Sequence, residues 1–228
     1  MPVESYAKAP RQIVLDLDVT DTPLYGQQED RFFHGYYNAY CYLPLYIFCG
    51  EHVLCARQRA SNQDASAGCR EEVERIVKQI RQRWPKVRII LRADSGFCRV
   101  ELMAWCEQNR VAYVLGLARN SRLQRKTAPA MREAKQQHQR TGQAERVFAD
   151  FPYRTRQSWS RSRRALANCG TAELGERLRM PGFQTQQAAK RPNVWAHLIR
   201  RNISFIAALP IEKQCFDHFL AVGITNSR

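Results

Sequence analysis

Apolar and polar residues alternate strictly near the start of the chain. In the segment RQIVLDLDVTDT, which begins at Arg11, every second residue from Ile13 to Val19 is apolar, and the opposite face carries Asp16 and Asp18. A period of two residues predicts a β-strand with one buried face. The strand therefore ends with two carboxylates in line on its other face.

The next segments predict a hairpin and then alternating helices and strands. Aromatic and branched residues are dense over 36–49, a second apolar run covers 52–59, and Pro44 indicates a bulge or a sheet edge. A helical period over 73–84 stops at Pro85, and apolar runs at 87–91 and 112–118 flank a second helix over 98–109. The order βββαβαβ predicts an α/β fold with a mixed sheet, in which parallel pairing follows an antiparallel hairpin.

The pattern changes beyond residue 118. Residues 123–140 have a helical and basic pattern, residues 146–156 alternate like a strand, and periodicity is poor past about residue 164. We therefore divide the chain into a core over 1–118, a basic region over 119–164 and an irregular tail over 165–228.

Composition excludes several classes of protein. The chain has 228 residues and a formal charge of +15, but 44% of its residues are hydrophobic, which is too many for a disordered basic tail. It has no apolar run of about 18 residues and no signal-peptide pattern at its start. We expect a protein of the cytoplasm with no membrane association.

The positive charge is concentrated in the basic region. Residues 1–118 carry 15 basic and 14 acidic side chains, whereas residues 119–164 carry 13 basic and 3 acidic ones. Such a concentration indicates a surface for a polyanion, most often nucleic acid, although a solvated helix face has the same composition. The candidate DNA contacts are Arg119, Arg122, Arg125, Lys126, Arg154, Arg156, Arg161, Arg163 and Arg164.

Two carboxylates from distant parts of the chain are candidates for a metal site. Asp18 ends the first strand, and Asp94 follows the strand over 87–91. In an open sheet of this order the two strands are neighbours, and ligands bind at the carboxyl ends of the strands. Acids brought together there repel each other unless a cation lies between them, which favours Mg²⁺ or Mn²⁺. The eight cysteines include no CxxC pair, so a thiolate metal site is not expected.

The amino-acid sequences of these segments strongly resemble those of one family. The strings LDLDVTDTPLYGQQEDRFFHGYYNAYCYLPLYIFCGEHVLCARQR, RIILRADSGFC and YVLGLARNSRL are similar to the group 1 DDE transposases of bacterial insertion sequences, over about residues 10–164. The resemblance implies an RNase H-like fold, a basic insertion that grips DNA, and catalysis by two metal ions held by three acids. It implies as partners the DNA of the element ends and of the target, leaves self-association open, and implies association with the bacterial nucleoid.

The resemblance also assigns the acids. The Asp-x-Thr pattern at Asp18 and the Asp-Ser-Gly-Phe pattern at Asp94 match the first two acids, and the first pattern favours Asp18 over Asp16. The third acid is the Glu of a motif that begins with Tyr. Two residues separate this Tyr from an Arg, and three residues separate the Arg from the Glu. Tyr153 and Arg156 fit its start, but Ser160 stands where the Glu belongs.

No third catalytic carboxylate can be assigned from the sequence. The acids after Asp150 are Glu173, Glu176, Glu212 and Asp217, and none has the family context. Family wording and periodicity are lost together at about residue 164, so we interpret the chain as a truncated transposase whose tail is read in a shifted frame. We expect little or no transposition by this chain alone.

Two alternative functions stay open at this point. An RNase H-like nuclease without strand transfer, or a non-catalytic DNA-binding protein, would carry the same acids and the same basic region.

Overall fold

A computed structural model describes residues 8–171 and 203–208. The strands are β1 (Gln12–Val19), β2 (Thr22–Pro23), β3 (Phe32–His34), β4 (Ala39–Tyr42), β5 (Leu45–Cys49), β6 (His52–Arg57), β7 (Arg88–Ala93), β8 (Ala112–Gly116), β9 (Arg146–Tyr153), β10 (Arg163–Gly170) and β11 (Ile203–Ala208). The helices are α1 (Cys69–Arg83), α2 (Val100–Gln108) and α3 (Ser121–Thr141). A 3₁₀ turn over Ser95–Phe97 follows β7.

Eight of these strands form one sheet in the order β6-β5-β1-β7-β8-β11-β10-β9. β1, β7 and β8 are parallel neighbours, while β5 and β6 pair antiparallel as a hairpin beside β1. The predicted α/β fold with a mixed sheet is confirmed. The sheet brings the carboxyl ends of β1 and β7 to the same edge, although 74 residues lie between Val19 and Asp94 in the sequence.

The core lies between the sheet and the helices α1 and α2. Leu15 and Leu17 on one face of β1 are almost fully buried, as are Ile76 and Ile80 on α1. Each such side chain contributes about 1.5–3 kcal/mol through burial of apolar surface. α1 ends where Trp84 precedes a proline, as the sequence predicts.

A second, three-stranded sheet with the order β2-β4-β3 branches off between β1 and β5. The sequence predicted one long strand over 36–49, but it divides into β4 and β5 because Pro44 has no N–H for the ladder. Arg59 stabilises the break, since its carbonyl accepts from the Leu43 N–H at 2.9 Å and its Nε donates to the Leu43 carbonyl at 3.0 Å.

The basic region continues the main sheet. β9 and β10 pair antiparallel, β11 joins β10 to β8, and α3 packs against β9 and β10. The boundary predicted after residue 164 falls inside β10, and β11 lies within the predicted irregular tail. β10 has no two-residue period because Ala165, Leu166 and Ala167 in succession are buried. The proposed frame shift concerns residues that lie mostly outside the described ranges.

Within the described ranges, no helix is both long and apolar enough to cross a membrane.

Candidate active site

The pairing of β1 with β7 determines where the two candidate acids lie. The strands run parallel in one continuous register, with Gln12 opposite Arg88 and Asp16 opposite Arg92. The paired residues end there, and Asp18 and Asp94 each follow two residues later on their own segment. Both residues stand at the carboxyl ends of neighbouring parallel strands, where α/β sheets bind their ligands.

Asp94 is held in place by the turn that follows it. It has an extended backbone and caps the 3₁₀ turn, with its Oδ1 accepting from the Gly96 N–H at 2.8 Å. Phe97 ends the turn and is 1% exposed, so it anchors the loop in the core. The Asp94 carboxylate is itself exposed and available to a ligand.

Gly116, the last residue of β8, supports this position from the neighbouring strand. A Cβ atom at Gly116 would lie 2.8 Å from the Ser95 nitrogen and 3.0 Å from the Asp94 carbonyl carbon. Backbone atoms do not approach a real Cβ so closely, and any side chain here would push the Asp94 segment away. Sequence reasoning missed this residue, although a glycine within an apolar strand is a signal of close backbone approach.

Asp18 is partly buried and carries an unfavourable charge. Its Oδ1 accepts from the Val19 N–H at 2.9 Å. Burial, with smaller contributions from the negative charges of Asp94 and Asp16, raises the pKa of Asp18 from 3.8 to about 6, against the lowering effect of the Val19 hydrogen bond. Within residues 8–171, neither Asp18 nor Asp94 forms an ion pair with a lysine or an arginine.

Asp16, the alternative to Asp18, has a cationic partner. The Arg92 guanidinium donates to both of its carboxylate oxygens, from Nε at 2.5 Å and from Nη2 at 2.6 Å. This bidentate geometry is the strongest form of an arginine–carboxylate contact. It engages the Asp16 charge and leaves Asp18 as the carboxylate of β1 that is free to bind a cation.

The donor set fits a divalent cation. Two carboxylates at one sheet edge, with no ion pair to a cation in the described part of the chain, are the oxygen ligands that Mg²⁺ and Mn²⁺ prefer. Among the described residues, no cluster of three or more His, Cys, Asp or Glu side chains could hold a metal ion. The late acids Glu173, Glu176, Glu212 and Asp217 all lie outside the described ranges.

The incomplete third motif has a structural role in the described part of the chain. Tyr153 is 4% exposed, packs edge to face on Trp159 with ring centroids 5.8 Å apart, and accepts from the Asn120 side chain at 3.1 Å. Arg156 and Ser160 are exposed in the segment between β9 and β10. Tyr153 therefore ties that segment to the start of α3.

The predicted DNA-contact residues differ widely in exposure. Arg119, Arg125, Lys126, Arg154 and Arg156 are exposed. Arg122 is half-buried and its guanidinium lies 5.4 Å from the centre of the Tyr153 ring. Arg164 pairs with Asp150, from Nη2 to Oδ2 at 2.7 Å.

Arg163, one of the predicted DNA contacts, is buried. Its side chain is 3% exposed and donates to both oxygens of Glu107, at 2.7 and 3.2 Å, while Arg161 reaches the same carboxylate at 2.5 Å. The Tyr113 hydroxyl donates to Glu107 as well, at 2.8 Å. Arg163 therefore holds β10 against α2 and β8 and is not available to a phosphate, which its position in a basic run could not reveal.

Most of the chain is similar to one family of known proteins. The model of the family "Transposase DDE domain group 1" matches residues 2–184. No curated protein matches the chain. Among solved structures, the cryo-EM structure of a piggyBac transposase synaptic complex with hairpin DNA is similar at 10% identity and a TM-score of 0.42. That match covers 96% of this chain and 39% of the piggyBac chain.

Proposed function

The chain belongs to the transposase DDE domain group 1 family, and from this premise we propose that Asp18 and Asp94 hold the divalent cations for cleavage and transfer of DNA strands. Proteins of this family bind DNA and depend on divalent metal ions. The proposal adds which residues of this chain supply the ligands and which supply the DNA contacts.

The observation that supports the proposal most is that Asp18 and Asp94 each lie two residues beyond the paired residues Asp16 and Arg92, at the carboxyl ends of neighbouring parallel strands. The raised pKa of Asp18 supports it, because a partly buried carboxylate beside a second one is costly without a cation. The Asp16–Arg92 pair supports it too, because Arg92 compensates the charge of Asp16. Without Arg92, a third uncompensated carboxylate on these strands would make the site still less favourable.

Two ions of Mg²⁺ or Mn²⁺ are the cofactors that we propose. When bound, such ions activate water or a DNA 3′-hydroxyl and stabilise the leaving oxygen of an in-line displacement. Asp18 supplies charge from a position fixed by the Val19 N–H, and Asp94 supplies it from the turn that Gly96 closes. We expect weak metal affinity and slow chemistry when these two carboxylates act without a third.

We propose that the DNA backbone lies against five exposed cationic residues: Arg119, Arg125, Lys126, Arg154 and Arg156. If each neutralises one phosphate, the logarithm of affinity falls with the logarithm of salt at a slope of about −4.5. Affinity then decreases about 500-fold between 50 and 200 mM salt.

A strand-joining assay tests the proposed function. The substrates are labelled DNA duplexes that have the sequence flanking the coding region and a free 3′-hydroxyl. They are incubated with a supercoiled plasmid and excess protein in Mg²⁺ or Mn²⁺. We expect a low yield of joined product that needs the metal, disappears in Asp94→Asn and persists in Asp150→Asn, whose carboxylate lies on β9.

Two outcomes contradict the proposal in different ways. Nicking without joining would identify a nuclease of the same fold. If no metal-dependent product forms, and DNA binding is the same in the unsubstituted chain and in Asp94→Asn, the protein is a non-catalytic DNA-binding protein.

A further inference from the structure

The small sheet beside the candidate acids exposes large aromatic rings to solvent. Tyr25 is 91% exposed, Tyr36 84%, Phe33 55% and Tyr40 43%. Soluble proteins rarely expose apolar surface in this quantity unless it binds a partner. All four residues lie between β1 and β5, in the segment that leaves the sheet next to Asp18.

The turn between β3 and β4 forms the tip of this surface. Tyr36 and Tyr37 occupy it, with perpendicular rings whose centroids are 5.0 Å apart. Tyr37 also contacts the His34 ring, at a centroid distance of 5.0 Å, and is half-buried, so it supports the exposed ring of Tyr36.

The tip lies close to the acid pair. β2 begins at Thr22, four residues after Asp18, and pairs with β4 on the same small sheet. Burial, followed by the charges of Asp21, Tyr36 and Asp18, raises the pKa of Tyr37 to about 12. The Tyr37 hydroxyl therefore stays neutral, and its ring is available to support Tyr36.

An arginine adds positive charge to the aromatic face. The Arg31 guanidinium lies 4.2 Å from the centre of the Tyr40 ring, and its Nη1 donates to the Gly26 carbonyl at 2.6 Å. Phe33 packs edge to face on the same ring, with centroids 5.6 Å apart. Unpaired bases stack on aromatic rings, and a neighbouring arginine pairs with the adjoining phosphates. This combination of charge and ring chemistry favours a nucleic-acid strand over a purely apolar partner.

We propose that Tyr36, at the tip of the β3–β4 turn, stacks on an unpaired base of the DNA strand whose phosphate lies at Asp18 and Asp94. The inference rests on the proposed function, because the acid pair brings the strand to this side of the molecule. The aromatic surface would then hold the strand beyond the reacting phosphate, independently of the basic residues of the 119–164 region.

A binding experiment without divalent metal tests the stacking. The probes are a blunt DNA duplex and the same duplex with a 3′ overhang of five nucleotides that carries 2-aminopurine, whose fluorescence falls when it stacks. For the full chain we expect tighter binding of the overhang and quenching of its fluorescence. Tyr36→Ala should weaken overhang binding about 5- to 150-fold, as expected for one stacked base, and leave blunt-duplex binding unchanged.

Two further variants serve as controls. Tyr36→Phe keeps the ring and should bind the overhang as the unsubstituted chain does. Phe148→Ala removes a 47% exposed ring from β9, an edge strand of the eight-stranded sheet, and should also have no effect.

The inference is overturned if Tyr36→Ala binds the overhang as tightly as the full chain, or if it weakens overhang and blunt duplex equally. It is also overturned if Tyr36→Ala abolishes a dimer seen by sedimentation and leaves overhang quenching intact, because the rings then cover a second copy. The assay contains no metal, so a negative result leaves the metal site to be judged by strand joining.

Discussion

Replacing Asp18 with asparagine should stabilise the metal-free protein at high pH. The folded state raises the pKa of Asp18 from 3.8 to about 6. At about 1.4 kcal/mol per unit of pKa, an ionised Asp18 costs at most about 3 kcal/mol of unfolding free energy. Solvent around the partly exposed carboxylate reduces this cost, so we expect Asp18→Asn to contribute about 1–2 kcal/mol. Asparagine still accepts the Val19 N–H, and the gain therefore reports the charge.

The sign of the effect depends on pH. A carboxyl whose pKa is raised by folding stabilises the folded state while it is protonated, and this contribution is lost as pH rises through about 6. The advantage of Asp18→Asn should therefore be close to zero near pH 4 and complete at pH 8. Urea unfolding with EDTA present at both pH values measures it.

A surface carboxylate provides the control for this prediction. Asp150→Asn loses an exposed ion pair with Arg164 and should change stability by less than about 1 kcal/mol at either pH. Our reasoning is refuted if Asp18→Asn is neutral or destabilising at pH 8, or if its gain is the same at pH 4.

Further predictions concern the support of the site, the buried ion pair and the basic surface. Gly116→Ala should lower the unfolding free energy by about 1–3 kcal/mol and weaken Mn²⁺ binding, because the new Cβ would displace the Asp94 segment. Gly35→Ala, which has open space at its Cβ, should change neither the stability nor the Mn²⁺ affinity. Calorimetry measures both quantities. Equal effects of the two would contradict this account. Arg163→Ala should destabilise the fold by up to about 3 kcal/mol in urea unfolding, because Glu107 loses its buried bidentate partner and keeps only the exposed Arg161 and the Tyr113 hydroxyl; a neutral result would mean that the pair is not structural. Arg125→Ala should keep full stability and reduce the slope of DNA affinity against salt by about 0.9 in fluorescence anisotropy, and an unchanged slope would remove Arg125 from the DNA surface.

The architecture of the core is predictable from the sequence because the apolar periodicity of each element is local. Alternation over Ile13–Val19 and the helical period over 73–84 each report one buried face, and β1 and α1 lie where those patterns predict. The order of the elements then implied that β1 and β7 are neighbours, which placed Asp18 and Asp94 at one edge.

Other features depend on contacts between distant segments and were not predictable. β10 is buried on both faces and has no distinctive period, so it was absent from the prediction. Arg163 is indistinguishable in sequence from the exposed arginines around it, and only the position of Glu107 on α2 explains its burial. The role of Gly116 likewise arises only when β8 packs against the turn after β7.

The most direct test of the metal site is a titration of Mn²⁺ into the full chain, with the free ion followed by electron paramagnetic resonance. We predict saturable binding that decreases more than about 10-fold in both Asp18→Asn and Asp94→Asn and is retained in Asp150→Asn. Binding that survives in either of the first two variants, or the absence of binding to the unsubstituted chain, would contradict the assignment of Asp18 and Asp94 as a shared cation site.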